Sequence, residues 1–342
     1  MSISYRTRRG FRRFFTGLGI AVGGALIAFL LWVVWAGRFI VYTPDGAKLD
    51  FSLSETFPQG EIAVEPTQGP TVPIYYHEPE LDDDLPVVEA TPIRGYYIDP
   101  NALKTDIDSV IEQVKALPSG TAVLLDMKDI KGRFYYDTSV GKTVSPDIDQ
   151  TRMSALLQTL MTGNYHTIAR IPAFRDWEYG LNNVPDGLPK KGGNVSLWMD
   201  DSNCYWLNPL AEGTQSYLFR ITTELRSIGF DEVVFTDFCF PATDKIEFEG
   251  DKYQALSQAA QTLVTTCATD RFWVSFCASD PSFPLPEGNT RIYLENVAAA
   301  DLKQIAQQVT TDDPSIHLLF LTDVNDTRFN DYCVLRPIDS AH

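Results

Sequence analysis

The chain has 342 residues, 44% of them hydrophobic, which is enough for one large core or two small ones. Its formal net charge of −17 is unevenly spread: six arginines and no acid fall in the first 38 residues, so the remainder carries 22 basic residues against 45 acidic ones, a net of −23. A body this acidic argues against a nucleic-acid partner, which needs clustered Lys and Arg, and against lying flat on an anionic lipid surface.

Arg6, Arg8, Arg9, Arg12 and Arg13 precede an uncharged apolar run over 14–37. At a rise of about 1.5 Å per residue, that run spans a hydrocarbon core of roughly 30 Å. It is longer than the core of a cleaved signal peptide, roughly 7–15 residues. Trp32, Trp35 and Arg38 read as an interfacial anchor. The expectation is a basic cytoplasmic tail over 1–13 and one transmembrane helix over 14–37 serving as a signal anchor. The arginines then leave everything C-terminal on the extracytoplasmic side of the cell membrane. Residues 39–53 predict a hairpin around Pro44, Asp45 and Gly46. Residues 54–92 hold seven prolines and an acidic run from Glu78 to Asp84. With the hairpin they make up a segment over 38–91 whose second part reads as an extended, solvated spacer.

From residue 92 the pattern changes to alternating strands and helices. Strands are predicted over 93–98, 121–128, 166–173, 232–238, 271–277, 290–295, 316–322 and 332–336. Helices are predicted over 101–117, 149–162, 211–228, 251–268 and 298–309. Apolar runs such as Val233, Val234 and Phe235 suit strands covered on both faces. Eight strands in roughly 250 residues predict an α/β fold, a (β/α)8 TIM barrel over 92–342. Its last helix is missing, and the helices near 281 and 325 are short or absent. A doubly wound open sheet is the alternative, but no glycine-rich phosphate loop follows the first strand.

The chemistry of such a barrel sits at the C-terminal ends of its strands. The second strand ends in Asp126, Met127, Lys128 and Asp129, and alternation puts Asp126 and Lys128 on one face. Near the mouth that face is the lumen, where charges must pair, so an Asp126–Lys128 contact or a shared network is expected. Arg170 reaches the same mouth from the third strand. A 37-residue connection from Phe174 to Leu210 follows, carrying Asp176, Trp177, Tyr179, Trp198, Asp200, Tyr205 and Trp206. Aromatic faces beside polar side chains suit sugar rings, and packing of the loop onto the barrel is the competing reading. Hydrolysis of a glycosidic bond takes two carboxyl groups flanking the bond. The strand ends offer Asp126, Asp129, Asp237, Glu295 and Asp323. Asp237 and Glu295 are the candidate catalytic pair, Glu295 because apolar neighbours would favour its acid form. Asp126, Lys128, Asp129, Arg170, Asp176, Trp177, Trp198, Trp206 and Asp323 are candidate glycan-binding residues. No Gly-x-Ser-x-Gly elbow occurs, and nothing in these motifs calls for a cofactor or a metal. Five cysteines, Cys204, Cys239, Cys267, Cys277 and Cys333, match no zinc spacing. Cys239 and Cys277 end successive strands and are candidates for pairing; burial as small apolar residues is the other reading.

Taken in order, RGYYID, AVLLDMKDIKGRFYY, ARIPAFRDW, WLNP and GFDEVVFTDFCFP resemble the putative glycoside hydrolase domain family, over about 93–339. These are TIM barrels related to glycosidases of the amylase and α-galactosidase type. Asp126, Lys128, Asp129 and Gly132 match its second-strand pattern. Ala169, Arg170, Arg175 and Asp176 match the third, and Trp206 and Pro209 a later one. The resemblance implies a glycan substrate. The fourth strand departs from the family: the usual carboxylate position falls on Thr236, the arginine on Cys239, and Asp237 on a tyrosine. Alternation forbids Thr236 and Asp237 both facing the lumen unless the strand bulges. Either Asp237 is turned inward, or the strand carries no catalytic carboxylate. The latter leaves a non-catalytic glycan-binding or envelope scaffold protein, or an enzyme with displaced chemistry.

Overall fold

The computed structural model describes residues 40–43, 46–49, 92–192, 196–278, 283, 285–309, 311 and 313–341. The chain divides into two compact units, Met1–Asp84 and Leu85–His342. In the first, β1 (Ile40–Thr43) pairs antiparallel with β2 (Gly46–Leu49), with Thr43 opposite Gly46 across the expected turn. The basic tail, the apolar run over 14–37 and the spacer lie outside the described residues. Among the described residues, no helix is long and apolar enough to cross a membrane.

The second unit is a closed barrel of eight parallel strands in the order β10-β3-β4-β5-β6-β7-β8-β9. These are β3 (Arg94–Tyr97), β4 (Ala122–Asp126), β5 (His166–Pro172), β6 (Glu232–Thr236), β7 (Trp273–Cys277), β8 (Ile292–Glu295), β9 (Leu318–Leu321) and β10 (Cys333–Pro337). Alternation sorts the side chains into two layers. Ala122, Leu124, Ile168, Val234, Tyr293, Leu319 and Leu335 fill the lumen. Val123, Leu125, Ala169, Val233 and Phe235 face outward under the helices. Where β3 meets β4, a Cβ on Gly95 would stand 1.8 Å from the Ala122 carbonyl oxygen, so only glycine lets these strands approach.

The helices on the β3–β7 side are α1 (Pro100–Thr105), α2 (Ile107–Ala116), α3 (Gln150–Thr162), α4 (Trp177–Asn182), α5 (Glu212–Ile228) and α6 (Lys252–Cys267). The four longer ones, α2, α3, α5 and α6, present an apolar stripe to the strands; in α5 it is Tyr217, Leu218, Ile221 and Leu225. Some of the acidic residues have a local purpose. Asp99, Asp106, Asp149, Asp176 and Asp251 each cap the N-terminus of one of these helices through the side chain. Asp106 also accounts for a departure from the sequence reading. Its non-helical backbone (φ −152°, ψ 58°) ends α1, and its carboxylate accepts the Ser109 N–H to start α2, so one expected helix becomes two.

On the other side the helices are short. Between β8 and β9 lie α7 (Leu302–Gln308) and α8 (Pro314–His317). After β9 there is a 3-10 turn, Thr327–Asp331, and after β10 another, Ile338–Ala341, where no helix was expected. A separate outer cluster around Leu294, Phe320, Phe329 and Val334 seals this flank.

The lumen is polar at both ends. At the floor, opposite the C-terminal mouth, Glu232 is fully buried. It forms an ion pair with Arg291, contacts His166 at 3.1 Å, and accepts hydrogen bonds from Ser275 (2.5 Å) and Tyr293 (2.8 Å). The Arg291 guanidinium lies over the Trp273 ring at 3.9 Å and donates to the Ile316 carbonyl.

Candidate active site

The mouth is built from the last residues of four strands and from the loops that leave them. Asp126 closes β4, and Arg170, its neighbour in register, lies one strand over on β5. The guanidinium grips the carboxylate with two bonds, through Nε to Oδ1 and through Nη2 to Oδ2 at 3.2 Å. It also reaches Glu295, the last residue of β8, at 3.4 Å. Arg170 thus holds Asp126 and Glu295 across the lumen. The apolar enclosure expected around Glu295 is not there: its side chain is 43% exposed and faces the guanidinium.

β6 ends at Thr236. Asp237 then adopts a left-handed backbone (φ 48°), and Asn296, just past β8, does the same (φ 57°). This conformation costs most L-residues about 1–2 kcal/mol, less for Asp and Asn, whose short polar side chains bond locally. It breaks the strand alternation, which answers the question posed by Thr236 and Asp237. Asp237 is turned back toward the mouth, with its carboxylate 3.8 Å from Arg175. Burial raises its pKa above the usual carboxylate value. Arg175 and Lys128 oppose that shift, and Asp200 and Glu295 add to it.

Arg175 is the hinge of the loop wall. It donates to Asp200 at 2.6 Å and lies over the Trp206 ring at 5.8 Å. Asp200 also accepts from the Trp206 indole (3.1 Å) and from the backbone N–H groups of Ser202 and Cys204. Burial works to raise the pKa of Asp200, but the Cys204, Trp206 and Arg175 bonds outweigh it, and the net shift is downward. Cys277, at the end of β7, is pushed up to about 12 by burial, with Glu295 adding and Arg170 opposing; Cys239 is pushed up to about 11 by burial and Asp237. All five cysteines are free thiols, so the Cys239–Cys277 pairing does not occur. Among the described residues, no three His, Cys, Asp or Glu side chains converge as a metal site.

A family model described as "Putative glycosyl hydrolase domain" matches residues 97–271, half of the chain, from the end of β3 through α6 and beyond. The chain belongs to this family. Among solved structures it is similar to the PgaB (BpsB) glycoside hydrolase domain of Bordetella bronchiseptica, at 11% identity and a TM-score of 0.51, over 73% of this chain and 96% of that one. It is also similar to a hypothetical protein of Ruminiclostridium thermocellum ATCC 27405 (20% identity, TM-score 0.45, 53% of this chain and 96% of that one). A GH20 exo-β-N-acetylglucosaminidase of Vibrio harveyi aligns at 9% identity and a TM-score of 0.45, over 72% of this chain and half of its own length. At these identities the likeness concerns the fold. No curated protein matches the chain.

The motif residues shared with the glycosyl hydrolase family separate into two groups in space. Asp126 and Arg170 stand in the mouth. Lys128 and Asp176 pair with each other at 2.8 Å, both side chains fully buried, so the expected Asp126–Lys128 contact is replaced by two separate pairs. The reason is that β4 ends at Asp126, and Lys128 lies beyond it, in an isolated antiparallel bridge with Phe134. There its ammonium also donates to the Pro172 carbonyl and lies over Tyr217. Gly132, at φ 82°, allows the loop to fold over this pair; a Cβ there would meet the Asp176 carboxylate at 2.5 Å. Asp129 accepts the N–H groups of Lys131 and Arg133 and shapes the same loop.

Of the tryptophans, Trp206 is buried beneath Arg175 and Trp198 packs half-buried on the core, so both pin the loop. Trp177 is 37% exposed, which leaves its indole open to a ligand. Asp323 is exposed just past β9, where its charge and that of Arg170 act on Tyr97, a lumen residue at the end of β3. Sequence reasoning did not single out Tyr97 or Asp200 as site residues. Tyr97 had a signal, as the second aromatic of RGYYID at a strand end; Asp200 had only its place in an aromatic loop.

Proposed function

We propose that this chain is a membrane-anchored, extracytoplasmic glycoside hydrolase acting on a polysaccharide or cell-envelope glycan. The observation that carries the catalytic reading is Asp237. A half-buried carboxyl with a raised pKa has left its strand in a left-handed conformation and shares a mouth with the open carboxylate of Glu295. A carboxyl whose acid form is favoured by its surroundings suits the acid that protonates a leaving oxygen. Glu295 then supplies the second carboxylate, as nucleophile or as base to a water. Arg170, itself fixed by Asp126, orients Glu295. Tyr97 and Asp323 offer hydrogen bonds to sugar hydroxyls at the rim, and Trp177 offers a ring face. Family membership supports the same reaction class.

The test is release of reducing ends from cell-wall or capsular polysaccharides by the full chain, with Glu295→Gln as the negative control. Release is expected and should be lost in the variant. Thr236, standing where the family usually has a carboxylate, favours a second reading, a glycan-binding protein without turnover. Calorimetric binding of a polysaccharide that is never cleaved would establish it and sink the first.

Location rests on the five arginines preceding the apolar run over 14–37. Protease added to intact cells should remove the barrel and spare an N-terminal tag. A barrel that is digested only after lysis would overturn the topology.

A further inference from the structure

A second concavity lies away from the mouth. It is a cavity of about 270 Å³ enclosed by the loop that follows β4, by α4 and by the first turns of α5. None of Asp126, Arg170, Asp237 or Glu295 lines it. Its walls include Lys142, Glu178, Tyr179, Asn183, Tyr217 and Arg220.

Tyr179 and Tyr217 stack at 4.1 Å with 19° between their planes. Both hydroxyls are engaged away from the cavity chemistry, with Asp186 at 2.9 Å and Asp176 at 3.0 Å. The rings therefore act as a fixed wall. Glu178 accepts from Thr143 at 2.6 Å, which ties down its acid without neutralising it. Lys142 and Arg220 are exposed, and their side chains form no ion pair or hydrogen bond with any described residue. Two unpaired cations on one small concavity are notable in a body of net charge −23, where acids to pair with are abundant.

We propose that this cavity is a second glycan subsite that takes a sugar bearing a carboxylate, a uronate unit; the glycan part of this assignment rests on the proposed function. The volume is just below the usual range for ligand pockets, about 300–1,000 Å³, which suits a single sugar unit. The Arg220 guanidinium matches a carboxylate as a two-pronged donor, and the Lys142 ammonium adds a point charge. The Tyr179 ring, backed by the buried Tyr217, meets the C–H face of the sugar ring. Glu178 and Asn183 meet its hydroxyls. A neutral sugar would use the tyrosines and amide but would leave both cations idle.

The full chain carrying Asp237→Asn and Glu295→Gln, so that ligand is not consumed, is titrated calorimetrically with digalacturonate, cellobiose and glucose 6-phosphate. Digalacturonate is expected to bind. Adding Lys142→Ala and Arg220→Ala should weaken it at least about tenfold, a loss of about 1.4 kcal/mol, and leave cellobiose unchanged. Both cations are exposed, so raising the salt concentration should weaken digalacturonate binding as well. Ser216→Trp, which fills the cavity from an exposed helix position, should weaken digalacturonate binding by a different route, by excluding any sugar from the cavity. Equal loss for cellobiose on removing the two cations, no effect of either variant on digalacturonate, or no binding of digalacturonate would overturn the subsite. Tighter binding of glucose 6-phosphate would overturn the carboxylate assignment. Turnover without uronate binding sinks this subsite and spares the hydrolase reading. Uronate binding through these residues in a chain that cleaves nothing does the reverse.

Discussion

Asp237→Asn should lower kcat on a natural glycan by about 10²- to 10⁴-fold, the usual worth of a positioned general acid. The amide keeps the size and the left-handed backbone tolerance of the aspartate (φ 48°), so the mouth should remain assembled. What is lost is the transferable proton. The loss should depend on the leaving group: an aryl glycoside whose phenolate departs unaided should be cleaved by the variant far better than an alkyl glycoside. The pH dependence carries a second check. An acid works only while protonated, so activity should fall as pH rises through the pKa of Asp237, which burial has raised. Arg175 opposes that rise by favouring the carboxylate. Arg175→Gln should therefore move the alkaline limb to higher pH, even though it also loosens the contact with Asp200. Turnover retained in Asp237→Asn on alkyl glycosides, or a limb that moves down in Arg175→Gln, would place the acid elsewhere.

The barrel was legible because its signal is periodic and long-range. Apolar runs such as VVF and LLFL recur between amphipathic helices, and a buried parallel sheet requires that pattern. The strand ends were legible to within a residue or two, which was enough to place Asp126, Arg170, Asp237 and Glu295 around one mouth. Pairing between them was not legible, because it depends on where each strand stops. Had β4 continued two residues further, Lys128 would have faced Asp126; the strand ends at Asp126, and Lys128 goes to Asp176. The orientation of Asp237 was out of reach for the same reason. Alternation predicts a direction only while the strand lasts, and one left-handed residue reverses it. The 37-residue loop lacks periodicity because isolated bridges, such as Arg175 with Trp206 and Met199 with Tyr205, organise it in place of ladders. The floor around Glu232 was missed although a glutamate opening the run EVVF is itself unusual. A buried acid is expensive unless paired, and its partner Arg291 lies two strands away around the barrel.

That floor supplies the largest expected effect on stability. Glu232→Gln should destabilise the barrel by about 3–5 kcal/mol at neutral pH, read as a drop in the urea midpoint of the full chain. The glutamine retains partners for Ser275 and Tyr293, but it leaves the Arg291 guanidinium, 3% exposed, without its counter-charge. Burial by itself would raise the pKa of Glu232; Arg291, His166 and Ser275 outweigh it and lower it from 4.5 to about 2. A carboxyl whose pKa is lowered on folding contributes stability that is fully present above its unfolded value. That contribution is lost as pH falls through the folded value. The gap between the wild type and Glu232→Gln should therefore be constant above pH 4.5 and close as pH falls toward about 2. A gap that persists unchanged through that window would mean that packing, not charge, is what the glutamate provides. A second comparison separates the cost of an orphaned charge from the worth of the pair. If the penalty comes from the unpaired guanidinium, Glu232→Leu combined with Arg291→Met should be more stable than Glu232→Leu alone, because the double change removes both charges. The floor also anchors β6 at the end opposite Asp237. Loosening it should raise the rate of local opening along β6, measurable as faster amide exchange over 232–236, before it alters the mouth.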